Sequence, residues 1–171
     1  MVNNNVEILN RIGYGKEQID GKTFKLEFSR DNMKTFQYKC NDSKEIYINS
    51  IYNTHKEIDN LLKDIDFDKD NLFIVYGIGM GYHIKEIYNR MTKFSYILVI
   101  EKDKDILSTY MEHNDFSELI NPNILFFFGS EEEIIENIHT NITRINIMGA
   151  AVNSVSIIPS AYKQIYGMRY I

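Results

Sequence analysis

The chain has 171 residues, of which 44% are hydrophobic and 25% charged, with a formal net charge of −5 and a pI near 5.4. That is enough apolar material for one good core with a small appendage, and an acidic balance without a lysine or arginine cluster argues against a dedicated nucleic-acid binder. No apolar run approaches the roughly 20 residues of a membrane-spanning helix, and the start Met1-Val2-Asn3-Asn4-Asn5 has no charged-then-apolar leader pattern, so a cytoplasmic location is expected.

Val6, Leu9 and Ile12 keep a helical spacing that Gly13 ends, which predicts a short first helix. Strand patterns follow. Residues 23–28 alternate polar and apolar, Ser29 to Asn32 supply turn residues, and residues 33–40 with 44–48 complete an antiparallel meander. The single Cys40 falls in this meander as a packing residue, since it has no cysteine or histidine partner nearby in sequence. A helix is expected from about Asn53, capped by Asn53 or Thr54, with Ile58, Leu61, Leu62 and Ile65 on one face. Beyond it, strands near 72–76, 96–100, 124–128 and 144–148 alternate with helices near 81–91, 103–113 and 131–140. That is the rhythm of βαβ units with a parallel sheet. Ser130 with Glu133 forms a capping-box pattern, and a short helix after Pro159 closes the chain among apolar residues. The expected fold is therefore a Rossmann-like, methyltransferase-like α/β domain over residues 51–171, with helices on both faces of its sheet, preceded over residues 1–50 by a helix and a β-meander appendage. The end at Met168-Arg169-Tyr170-Ile171 reads as that of a piece of a longer protein.

Residues 72–83 carry the main chemical signal. A buried run, Leu72 to Tyr76, passes straight into Gly77-Ile78-Gly79-Met80-Gly81 and then a helix opened by Tyr82-His83. Glycines at alternate positions let the backbone turn sharply and approach a phosphate or ribose. About 20 residues past the last glycine, the next strand ends in Glu101, where such folds place an acid for a ribose hydroxyl. A dinucleotide fingerprint would need a glycine at the place of Tyr82, which disfavours NAD or FAD. The glycine pattern is closer to the first motif of S-adenosylmethionine-dependent methyltransferases, although Tyr76 stands where those enzymes carry an acid.

The segment Gly77 to Ile87, together with Ile48 to Asn53 and Ile97 to Glu101, resembles the N-terminal domain of the motility-associated factor (Maf) glycosyltransferases. In that family the turn commonly reads Gly-Leu-Gly-Leu-Gly-Tyr-His, and the upstream segment Ser-x-Tyr-Asp-Pro-x-x-Glu. This chain keeps Ser50, Tyr52 and Glu57 but has Asn53-Thr54 in place of Asp-Pro. The resemblance implies a protein that attaches nonulosonic, sialic-acid-like sugars to flagellin, with the transferase centre in a following region of the same protein. Its partners would be flagellin and that C-terminal region, and this piece would itself be non-catalytic.

The candidate binding residues are Gly77, Gly79, Gly81, Tyr82, His83 and Glu101, with no catalytic or metal-ligating residue assigned. A nucleotide-sugar or S-adenosylmethionine is the ligand to consider, and a methyltransferase-like small-molecule enzyme is the alternative function. Each residue also has a structural reading. The glycines make a tight turn in any case, His83 can be a helix-start donor, Glu101 can cap the next helix, and Tyr82 is expected to be buried against neighbouring segments. An open crevice is expected above the turn. His55, His113 and His139 lack metal-ligand spacing, and Glu131-Glu132-Glu133 suits a solvated first helical turn.

Overall fold

The computed structural model describes residues 2–40, 43–149 and 153–167. Helix α1 (Val2–Arg11) packs Leu9 into the core and ends before Gly13, whose φ of 92° suits a residue without a side chain. Its Asn5 is fully buried, donating to the carbonyls of Met111 and Asn114 at 2.7 and 2.8 Å and accepting from the Phe116 amide at 3.0 Å. A one-turn 3-10 helix (Lys16–Ile19) follows, which the sequence pattern does not announce. Strands β1 (Leu26–Phe28), β2 (Lys34–Lys39) and β3 (Glu45–Tyr47) form the expected antiparallel meander, in the order β1-β2-β3.

Helix α2 (Thr54–Leu62) is capped by Asn53, whose side chain accepts from the Lys56 amide at 2.7 Å. Strand β4 (Asn71–Tyr76), helix α3 (Tyr82–Arg90), strand β5 (Tyr96–Glu101), helix α4 (Lys104–His113), a second 3-10 turn (Phe116–Leu119), strand β6 (Ile124–Phe128) and helix α5 (Glu131–Thr140) then alternate as expected. The Ser130–Glu133 capping box is present in full.

The strand expected at 144–148 is instead helix α6 (Ile142–Gly149). Its β-branched isoleucines suggest a strand, but Ile145 and Met148 are three apart and both join the cluster formed by Leu72, Leu98, Phe127 and Ile134. The fourth strand is β7 (Asn153–Ile157), followed by helix α7 (Ser160–Ile165). The parallel sheet has the order β6-β5-β4-β7. To reach its place the chain must travel from β6 back past β5 and β4, roughly 15 Å at the usual strand spacing, and α5 with α6 spans that distance. The apolar residues Met168 and Ile171 at the chain's end lie outside the described residues.

Alternation along the strands splits the sheet's side chains between two layers. Phe73, Val75, Ile97, Val99, Phe126 and Phe128 face the larger cluster, shared with Leu9, Ile58, Leu62, Ile84 and Ile106. Phe36 of the meander and Leu9 of α1 belong to this same cluster, so packing is continuous across the change from antiparallel to parallel strands. On the other layer lie α5 and α6. The Tyr14 hydroxyl donates to the Phe126 carbonyl at 2.8 Å and accepts from the Phe128 amide at 3.2 Å, along the outer side of β6. In open sheets of this topology the crevice forms at the carboxyl ends of the strands where connections diverge, here between β4 and β7.

Candidate functional site

The glycine turn sits at that divergence, and all three glycines need positive φ: 97° at Gly77, 48° at Gly79 and 80° at Gly81. What surrounds them differs sharply. A Cβ on Gly77 would lie 2.0 Å from the Tyr162 ring, whereas one on Gly79 would find nothing nearer than Ile48 Cγ1 at 3.7 Å. The space directly above Gly77, expected to be open, is thus filled by a tyrosine from α7.

Tyr162 is 1% exposed and its hydroxyl joins a closed network. It accepts from the Gly79 amide at 2.9 Å and donates to Glu101 Oε2, which also accepts from the Ile78 amide at 3.0 Å. The other carboxylate oxygen accepts from the Asp103 amide at 2.9 Å and from the Tyr166 hydroxyl at 3.3 Å. Four donors therefore engage Glu101, and two are phenols of the chain itself. Burial pushes its carboxyl up to about 7 against the lowering effect of Tyr162, Asp103 and Ile78. Burial, with Glu101 beside it, raises Tyr162 well above the usual phenol value.

The remaining candidates point elsewhere. Tyr82 is half-buried, and its hydroxyl accepts from the Lys34 amide at 2.9 Å, tying α3 to the meander. His83 is fully buried and its Nε2 donates to the Gly77 carbonyl at 2.9 Å. That bond fixes the tautomer and leaves Nδ1 as an acceptor, which has no partner among the described residues. Burial lowers the imidazole to about 4, so it is neutral at pH 7.

His83 faces a second space. A cleft of about 530 Å³ opens beside the turn, lined by Asn49, Lys56, Glu57, His83, Pro159 and Lys163 among others. Asn49 is held by β2, where the Thr35 hydroxyl donates to its carbonyl at 2.8 Å and accepts from its amide at 3.1 Å. Glu57 accepts from the Ser50 amide at 2.8 Å and from the Asn49 side chain, and burial, the largest influence, keeps its carboxyl above the usual value. Ser50 in turn accepts from the Tyr52 and Asn53 amides, both at 3.2 Å. The retained Ser50, Tyr52 and Glu57 thus build the cleft wall at the start of α2.

The structure brings Gly77, Gly79 and Glu101 together with Tyr162 and Tyr166, and sets His83 apart against Asn49 and Glu57. The sequence reading did not single out Tyr162, Tyr166 or Asn49 as site residues. Asn49 and Glu57 do carry a signal, through their places in the Ile48–Asn53 and Ser50–Glu57 segments.

No curated protein and no solved structure matches the chain. A family model, described as the glycosyltransferase Maf N-terminal domain, matches residues 14–153, which run from the loop after α1 to the first residue of β7 and include the whole glycine turn and the cleft wall at Ser50–Glu57. With most of its length covered, the chain belongs to the Maf glycosyltransferase N-terminal domain family.

Proposed function

We propose that this chain is the non-catalytic N-terminal domain of a Maf-type protein that glycosylates flagellin with nonulosonic, sialic-acid-like sugars in flagellum assembly. It acts in the cytoplasm, positioning the transferase region of the same protein or the flagellin acceptor. The observation that supports this reading is the occupation of the nucleotide crevice by Tyr162. Its phenol takes the Gly79 amide and a Glu101 oxygen, the groups a bound ribose would use.

The test is transfer itself. The isolated chain, mixed with flagellin and a nucleotide-activated nonulosonic acid, is expected to leave the flagellin mass unchanged, while the same mixture with the parent protein adds the sugar mass. Sugar transfer by the isolated chain would overturn the reading. Methyl transfer from S-adenosylmethionine by the isolated chain, abolished by Glu101→Ala, would do so in favour of the small-molecule enzyme.

A further inference from the structure

The cleft beside the glycine turn carries an unmet chemical demand. Asn49 and His83 are 5% and 2% exposed, yet Asn49 Oδ1 and His83 Nδ1 have no hydrogen-bond partner among the described residues. A buried acceptor left unmatched costs free energy, so two of them in one place require an explanation. Their identities as acceptors are fixed by their neighbours. The Asn49 side chain interacts with the Glu57 carboxyl, which when ionised can only accept and so draws the amide nitrogen towards it, and His83 spends its ring proton on the Gly77 carbonyl.

Both residues lie beside Gly79 and line the same cleft. A Cβ on Gly79 would lie 3.8 Å from Asn49 Oδ1 and 3.9 Å from His83 Cε1, and it is the absence of that Cβ that leaves room there. The Glu57 carboxylate adds further acceptor capacity beside them. Ile58, Leu61, Ile158 and Pro159 supply an apolar wall, and no ion pair holds Lys56 or Lys163 at the rim among the described residues.

We propose that this cleft binds a ligand through a vicinal diol, whose two hydroxyls donate to Asn49 Oδ1 and His83 Nδ1 while the apolar wall packs against the C–H face of its ring. A lone hydroxyl, with one proton, would serve one acceptor only, and an anion would face three acceptors. A sugar ring offers adjacent hydroxyls and an apolar face together. The diol has two sources, a hexose or the ribose of a nucleotide. Neither acceptor atom is open to solvent, so binding requires side chains of the cleft wall to move aside. The proposal does not depend on the non-catalytic reading above, because it concerns the cleft lined by Asn49, Glu57 and His83 and not the crevice that Tyr162 fills.

The experiment is a titration of the whole chain, followed by the imidazole nitrogen NMR signal of His83, with methyl galactoside, adenosine monophosphate and 2′-deoxyadenosine monophosphate as separate probes. Movement of the Nδ1 signal towards its hydrogen-bonded position with methyl galactoside assigns a hexose. Movement with adenosine monophosphate that the 2′-deoxy analogue does not reproduce assigns a ribose. Glu57→Gln, whose amide can donate and so frees Asn49 from its fixed orientation, is expected to weaken the bound probe about tenfold, the equivalent of ~1.4 kcal/mol. No movement with any probe, or movement caused only by the nucleotides and equally by both, overturns the proposal.

Discussion

Around Tyr162 at the glycine turn, the Ile78 and Gly79 amides and both Glu101 oxygens have partners from the chain itself; around His83, two buried acceptors have none among the described residues. The two groups of residues meet on one backbone turn, at Gly77 and Gly79. The filled side behaves as core, because the residue that occupies it also hydrogen-bonds the Gly79 amide and a Glu101 oxygen. The unfilled side keeps the polar imbalance expected of a surface shaped for something outside the chain.

Substituting the two glycines tests this contrast most strongly. Gly77→Ala sets a methyl inside the Tyr162 ring and must expel it, so a loss of about 3–5 kcal/mol is expected, the scale of removing a buried aromatic. Gly79→Ala meets no close atom and is limited to the strain of positive φ, about 1–2 kcal/mol. Urea unfolding of both variants decides the matter, and equal losses would remove Tyr162 from its role as the wedge.

The pH dependence of stability separates the two sides next. Glu101 moves from a reference of 4.5 up to about 7, so the folded state holds its proton longer and stability falls as pH rises through that window. His83 moves from 6.5 down to about 4, so the unfolded state takes up the proton first; its contribution is complete above 6.5 and is lost as pH falls towards 4. Each effect is of order 3 kcal/mol, and between pH 4.5 and 6.5 they oppose. A nearly flat profile is expected for the native chain. Glu101→Gln should leave a rising profile and His83→Gln a falling one, as read from unfolding free energies across that range; the same slope in both variants would refute the assignment.

Two hydroxyl deletions sharpen the comparison. Tyr162→Phe keeps the ring but strands the Gly79 amide and one Glu101 interaction, for an expected ~1–3 kcal/mol. Tyr82→Phe deprives only the Lys34 amide of its acceptor, on a half-buried side chain, for about 1 kcal/mol. A larger loss at Tyr82 would mean that the joint between α3 and the meander matters more than the crevice.

Periodicity made the meander, α2 and the β4-to-α5 alternation readable in advance, because their apolar spacing is strong and their caps are local: Asn53 for α2 and Ser130 with Glu133 for α5. It failed at 142–157. Helix α6 is rich in isoleucine, a strand-forming residue, and its helical character shows only in which residues the sheet takes up. Strand β7 reads Asn-Ser-Val-Ser-Ile, too polar to stand out, since it lies at a sheet edge with Asn153, Ser154 and Ser156 exposed. The glycine turn and Glu101 were legible as a fold signature. That Tyr162, more than 80 residues from Gly79 in sequence, would close over them was not, because no local pattern encodes a contact of that range.

The other edge of the parallel sheet is managed by the Tyr14 hydroxyl. Strand β6 reads Ile-Leu-Phe-Phe-Phe, an uncharged segment of high strand propensity whose outward amides and carbonyls could template the addition of a foreign strand. By bonding Phe126 and Phe128 from the side, one phenol occupies the rung where such a strand would begin to pair. The loop that follows α1 thereby shields the chain from self-association at its most adhesive segment.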